Sequence, residues 1–114
     1  HPDIYMLGRN TFTNIDAKAA HIICAVAEKY EIPLEINLSH PNECIIGKRN
    51  DIIYPCKEFW KIASEYNNLK VLYGIDAHFK YQIINYEKAI EIANNHIGQD
   101  IIKKLHFCDK NLDI

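Results

Sequence analysis

The sequence lacks several features that would assign it to a class directly. It has no apolar run close to the eighteen or so residues of a membrane span, and nothing at its start resembles a signal peptide. It also lacks an excess of basic residues, since the formal net charge is −2. A nucleic-acid surface calls for a concentrated basic face, so we expect neither a membrane nor a nucleic acid as a partner.

Closely spaced cysteine pairs are also missing. The four cysteines, at positions 24, 44, 56 and 108, are widely spread and form no C-x-x-C pair. This spacing is typical of reduced thiols and argues against a disulfide framework or a compact zinc motif. We therefore expect a cytoplasmic protein.

A starting methionine is absent as well, because the chain opens on His1-Pro2-Asp3. With 114 residues, 48% of them apolar and 25% charged, it has the composition of one globular domain. We expect residues 1–114 to be a single partial domain, cut from something longer.

The first half of the chain predicts one helix and one strand after an irregular start. Asn14 or Asp16 can cap a helix over residues 18–30, followed by a strand over residues 34–38 in which apolar and polar residues alternate. Residues 39–54 are predicted as a long loop. The apolar stripe expected to bury the helix consists of Ala19, Ile23, Val26, Ala27 and Tyr30.

The second half repeats this order. Pro55 suits the first turn of a helix with a core face that includes Trp60, and a strand over residues 71–75 follows. A helix over residues 86–96 stops at Gly98, and residues 101–107 form a last short strand or stay irregular. Helices alternating with strands predict an α/β fold with a parallel sheet, although two clear strands are too few for a complete one.

The most suggestive spacing is Asp76-Ala77-His78, directly after the second strand. Side chains two residues apart on an extended backbone point to the same side, and a carboxylate with an imidazole suits zinc, manganese or iron. In α/β folds such ligands lie at the carboxyl ends of strands. The alternative is that Asp76 begins a turn in which His78 simply sits.

Several short segments together resemble the polymerase and histidinol phosphatase (PHP) family, in its histidinol-phosphatase branch. Gly74-Ile75-Asp76-Ala77-His78 resembles the closing G-x-D-x-H motif, and His1-Pro2-Asp3 resembles the earlier G-H-P-D element. Residues 33–37 are similar to the L-E-I-N strand, and residues 54–63 are similar to the Y-P-x-x-x-F-x-x-x-A segment. The resemblance covers most of the chain in the family's order.

This resemblance implies that the chain is the carboxyl-terminal portion of a distorted (β/α)7 TIM-like barrel. The parent protein would be a metal-dependent phosphatase, acting on L-histidinol phosphate in histidine biosynthesis, with two or three divalent ions (Zn, Mn or Fe). His1, Asp76 and His78 match family metal ligands, and Asp76 and His78 are the catalytic candidates. The family's opening H-x-H motif has no counterpart here, so the 114-residue chain alone is expected to be inactive, and it could lack bound metal.

Four other residues are candidates around the same site. Arg49 lies where related phosphatases place a phosphate-binding arginine, and its planar fork matches phosphate oxygens, so it is the candidate for binding a small phosphorylated substrate. His40 follows the first strand and is a second substrate candidate. Glu35 and Asn37 are expected to support the ligands from the polar face of that strand.

Two alternatives stay open. The chain could belong to another phosphoesterase or nuclease-type member of the family. It could also be a non-catalytic α/β fragment that self-associates through unpaired strand edges and apolar faces.

Overall fold

The computed structural model describes residues 1–75 and 79–108, so the predicted ligands Asp76 and His78 lie outside the described residues. A short 3₁₀ helix, Ile4–Met6, opens the chain. The remaining elements are α1 (Asn14–Lys29), β1 (Leu34–Asn37), α2 (Ser39–Ile45), α3 (Lys57–Ala63), β2 (Lys70–Gly74), α4 (Lys80–Ile84), α5 (Tyr86–Ile97), α6 (Gln99–Ile102) and β3 (His106–Phe107).

The three strands form one parallel sheet in the order β1-β2-β3. Leu34 pairs with Val71 and Asn37 with Gly74, so β1 and β2 end at the same level. Two residues of β3 continue the sheet, with Val71 opposite Phe107. The predicted α/β class with a parallel sheet is confirmed, and the uncertain segment before the carboxyl terminus supplies its third strand.

The two faces of the sheet differ in polarity. On one face Leu34, Ile36 and Val71 are buried, together with apolar side chains from α1, α3 and α5. The alternation of side chains turns a second set toward the opposite face. This set, which we call the polar face, consists of Glu35, Asn37, Lys70, Leu72, Gly74 and His106.

The first helix begins earlier than predicted and buries a partly different stripe. Its N-cap is Thr13, whose hydroxyl oxygen accepts from the backbone N–H of Asp16 while the Asp16 carboxylate accepts from the backbone N–H of Thr13. This capping box replaces the predicted Asn14 or Asp16 cap. The expected stripe is correct in part: Ala27 is buried and Ala19 and Ile23 are half-buried, but Val26 and Tyr30 are exposed. The other buried residues of the helix are Asp16, Ala20 and Cys24.

The long loop predicted for residues 39–54 is wrong in its first half, because Ser39–Ile45 is the helix α2. Pro41 stands in its first turn, where the missing N–H costs nothing because that position has no partner within the helix. The backbone N–H of Asn42 donates to Leu38 O at 2.9 Å. Helix α2 packs against α5.

The later helices follow the prediction more closely. Helix α3 begins at Lys57 rather than at Pro55, and Phe59 and Trp60 are fully buried in the core as expected. Helix α5 ends at Gly98, whose φ of 106° is a conformation that favours glycine. Helix α4 was not predicted. None of the helices in the described part of the chain is long and apolar enough to cross a membrane.

Candidate functional site

The carboxyl ends of β1 and β2 are joined into one rim. The backbone N–H of Leu38, the first residue after β1, donates to Gly74 O at 2.8 Å. Asp76 follows Gly74 by two residues in the sequence. We call these two strand ends, with the side chains that lie at them, the rim.

Glu35 and Asn37 hold each other at this rim. Asn37 Nδ2 donates to Glu35 Oε1 at 3.0 Å, and Asn37 Oδ1 accepts from the backbone N–H of Ser39 at 2.9 Å. Asn37 is fully buried. Its amide therefore fixes the direction of the Glu35 carboxylate and also ties β1 to the start of α2.

His1 lies at the same rim. Its amino nitrogen is 3.6 Å from Glu35 Oε1, and its imidazole packs on the ring of Tyr54, with centroids 4.7 Å apart. The Nε2 atom of His1 is buried and has no hydrogen-bond partner among the described residues. A buried imidazole nitrogen without a partner is costly unless something else binds it, and an imidazole nitrogen is a common ligand of divalent metals.

His40 is buried beneath the rim. Only 2% of its surface is exposed, and its Nδ1 lies 3.2 Å from the backbone nitrogen of Ile53 and 3.5 Å from that of Tyr54, which places it as their acceptor. Its ring stacks on Tyr54 at 3.7 Å between centroids. Burial, with the nearby Arg49 charge, lowers the pKa of His40 to about 4, so the imidazole is neutral at physiological pH. The tautomer protonated at Nε2 fits these contacts.

The guanidinium of Arg49 lies between two carboxylates. Its Nη1 donates to Asp51 Oδ1 at 2.9 Å, and its Nε is 3.5 Å from Glu43 Oε1. The Arg49 side chain is 24% exposed, whereas that of Asp51 is 69% exposed. The guanidinium predicted to bind a phosphate is therefore paired with protein carboxylates, of which that of Asp51 is exposed.

Asp3 was not singled out from the sequence, although it belongs to the His1-Pro2-Asp3 segment. It is fully buried, and its Oδ2 accepts from the backbone N–H of Cys56 at 2.6 Å and from Trp60 Nε1 at 3.2 Å. Burial raises the pKa of Asp3 to about 6. The available signal was the only tryptophan of the chain, because a buried indole N–H needs an acceptor.

No three His, Cys, Asp or Glu side chains come together as a metal-binding group within residues 1–75 and 79–108. The predicted ligands Asp76 and His78 fall outside these ranges. Of the predicted ligands, the structure therefore places His1 alone at the rim, beside Glu35 and Asn37. The unpartnered Nε2 of His1 fits a metal ligand by its chemistry.

Two surface pockets lie among the described residues. One, of about 370 Å³, is lined by Asp51, the partner of Arg49, and by Arg9, Lys57 and His96 among others. The other, of about 540 Å³, is largely apolar and lies beside β2 and β3, with Tyr73, Tyr86 and Phe107 in its lining. Neither contains His1, Glu35 or Asn37.

Comparison with models of known protein families, with curated proteins and with solved structures finds no match to this chain.

Proposed function

We propose that this chain is the carboxyl-terminal part of a PHP-type barrel whose parent protein hydrolyses a phosphate monoester with the help of divalent metal ions. L-Histidinol phosphate is the first substrate to test. The observation that carries the proposal is the rim itself: His1, Glu35 and Asn37 gather at the strand end that adjoins Gly74, two residues before Asp76.

Two polar side chains on β1 suit the rim of a barrel. Parallel sheets, in barrels as in doubly wound folds, are apolar on both faces, so polar residues near a strand end are typical of a site. Here the apolar side chains of β1 lie on one face, and Glu35 and Asn37 lie on the other. A barrel places its helices outside and its polar site residues at the carboxyl ends of the strands, which matches this asymmetry.

In this proposal His1, Asp76 and His78 hold the metal, as zinc, manganese or iron. When bound, such an ion polarises a phosphoryl oxygen and lowers the pKa of a bound water. Glu35 contributes negative charge beside His1, and Asn37 keeps that carboxylate in place through its bond to Glu35 Oε1. Residues that orient ligands in this way commonly change metal affinity when they are replaced.

Arg49 would bind the phosphate of the substrate. Its contact with Asp51 is exposed to solvent, and exposed ion pairs contribute little to stability. A phosphate could therefore replace the Asp51 carboxylate at small cost. His40 is held too deeply to offer more than its Nε2 edge, so its part in substrate binding would be secondary.

The test uses the parent polypeptide that contains this chain. It should release phosphate from L-histidinol phosphate when Mn²⁺ or Zn²⁺ is added, and Asp76→Asn or His78→Ala should remove most of that activity. Asp100→Asn, an exposed acid on α6, is the matched control and should keep the parental rate. Parental rates in both site variants would refute the assignment, and strong metal-dependent turnover by the 114-residue chain alone would refute its being an incomplete barrel.

A second candidate function is association without catalysis, favoured by one observation. Ile15, Ile22, Val26 and Tyr30 are exposed along α1, at spacings that place them on one side of the helix. An exposed apolar stripe of this kind commonly marks an interface. Sedimentation of the chain over a range of concentrations separates the two cases, since a monomer at high concentration would argue against this candidate.

A further inference from the structure

Asp3 joins two distant parts of the chain. Its Oδ2 accepts from the backbone N–H of Cys56, 53 residues away, and from the indole N–H of Trp60, 57 residues away. Cys56 is the N-cap of α3 and Trp60 lies in its first turn and a half. One carboxylate oxygen therefore fastens the first residues of the chain to the beginning of α3.

The link from Asp3 to His1 is short and stiff. Pro2 lies between them, its ring fixes its own φ, and it restricts the backbone of the residue before it. Beyond Asp3, the backbone continues directly into the 3₁₀ helix, with Met6 N donating to Asp3 O at 3.0 Å. Few free torsions are left between the anchored carboxylate and the imidazole of His1.

The imidazole itself makes few contacts of its own. It packs on Tyr54, and its buried Nε2 has no partner among the described residues. No side-chain hydrogen bond from the described residues therefore orients the His1 imidazole. Its position depends on the backbone that carries it.

We propose that Asp3 is a positioning residue that holds the His1 imidazole at the rim by fastening its segment to Cys56 and Trp60. The role of His1 as a metal ligand rests on the proposed function, whereas the position of its ring can be measured without any metal. Asp3 acts through His1 and touches neither metal nor substrate.

Three variants of the 114-residue chain test this role. Asp3→Ala removes the acceptor, Asp3→Asn keeps an oxygen that can accept both hydrogen bonds, and Asp16→Ala is the matched control. Asp16 is also a buried carboxylate with hydrogen-bond partners, but it caps α1 at Thr13. Both alanine variants should lower the free energy of unfolding. A loss of stability alone therefore does not show whether Asp3 positions His1.

The first readout is the NMR shift of the His1 ring protons without metal, because packing on Tyr54 displaces these shifts from free values. Asp3→Ala should return them toward free values, while Asp3→Asn and Asp16→Ala should keep them. Unchanged His1 shifts in folded Asp3→Ala would overturn the proposal. If Asp3→Ala does not fold, Trp60→Phe, which removes the indole donor together with part of the buried ring, should shift the same resonances, and their constancy would overturn it equally.

The second readout is Zn²⁺ affinity, measured by competition with a chromophoric chelator. Asp3→Ala should weaken binding about tenfold or more, the loss typical when a residue that orients a ligand is removed, and Asp3→Asn should restore it. Equal affinity in Asp3→Ala and the unchanged chain would count against positioning. If the unchanged 114-residue chain does not bind Zn²⁺, because the rest of the barrel supplies further ligands, the same comparison is made in the parent polypeptide, where absence of binding would count against the proposed metal site. The shift measurement decides the role of Asp3 in either case.

Discussion

The carboxylate of Glu35 occupies the space in which a Cβ atom of residue 74 would stand. A methyl group built on Gly74 would overlap the Oε2, Cδ and Cγ atoms of Glu35. The two residues lie on neighbouring strands, where Asn37 is the register partner of Gly74. Glycine at this position is therefore a packing requirement of the rim.

Gly74→Ala should displace Glu35 and break its hydrogen bond with Asn37. We expect a loss of about 1 kcal/mol in the free energy of unfolding, the value of the broken hydrogen bond, because the flexible and partly exposed Glu35 side chain can move aside. Urea denaturation measures it. The double variant Glu35→Ala/Gly74→Ala removes the overlap and should recover part of the loss, so strictly additive effects of the two changes would contradict the contact.

Asn42 and Asn37 provide a matched pair of fully buried amides. Neither Nδ2 nor Oδ1 of Asn42 has a partner among the described residues, whereas Asn37 bonds Glu35 and Ser39. Because an unsatisfied buried amide is costly, Asn42→Leu should raise the free energy of unfolding by about 1 kcal/mol. Asn37→Leu should lower it. Thermal and urea unfolding should show changes in stability of opposite sign for the two variants. A large loss of stability in Asn42→Leu would contradict the prediction and indicate an unseen partner of Asn42.

Stability should depend on pH through His40. Its folded pKa of about 4 lies below the ordinary value of 6.5, so between these values the unfolded chain binds the proton first. The stabilising effect is full above about pH 6.5 and is lost as the pH falls toward 4, by about 3 kcal/mol. His40→Asn keeps an acceptor near the Nδ1 position without titrating. Over the same range Asp3, whose pKa burial raises to about 6, stabilises the folded chain as the pH falls, while His96, whose pKa burial lowers, acts in the same sense as His40. The test is therefore the difference between the two chains: urea unfolding from pH 7 to 4.5 should show a smaller loss of stability in His40→Asn than in the unchanged chain, and identical pH profiles would refute the assignment.

Asp51 and Arg49 should have opposite effects on phosphate binding. Asp51→Asn removes the negative charge that faces the guanidinium, so inorganic phosphate should bind several-fold more tightly. Arg49→Ala should abolish binding, and Arg49→Lys should weaken it because lysine lacks the planar fork. Phosphate titration followed by NMR measures the affinities. Arg9→Ala tests the other arginine, which pairs with Asp16 and lines a pocket together with Asp51, and it should leave the phosphate affinity unchanged. If Arg49→Ala bound phosphate as tightly as the unchanged chain, Arg49 would be ruled out as the phosphate-binding residue.

Local sequence signals predicted part of this fold well. Alternation at Leu34, Ile36 and Leu38 was sufficient for β1, and Gly98 marked the end of α5. Helix α1 was harder, because it carries two apolar stripes and only packing against α3 decides which one is buried. Helix α2 was also harder to predict, because Pro41 indicates a helix break unless it is known to lie in the first turn of the helix.

The candidate site was predictable only in part, for a physical reason. His1, Glu35 and Asn37 could be assigned to one rim because parallel strands end together. The partners of Asp3 are more than fifty residues away, and no spacing in the sequence connects them. The burial of His40 depends in the same way on Tyr54, which a separate segment brings onto its ring.

The outer edges of the sheet have a practical consequence. Within the described residues β1 and β3 each pair only with β2, which leaves backbone donors and acceptors of both strands available to further parallel strands. Such a sheet is suited to fragment complementation, in which a separately expressed polypeptide supplies the neighbouring strands. Co-expression with amino-terminal halves of candidate barrels, scored by recovery of phosphatase activity, would turn these edges into a means of finding the missing partner strands.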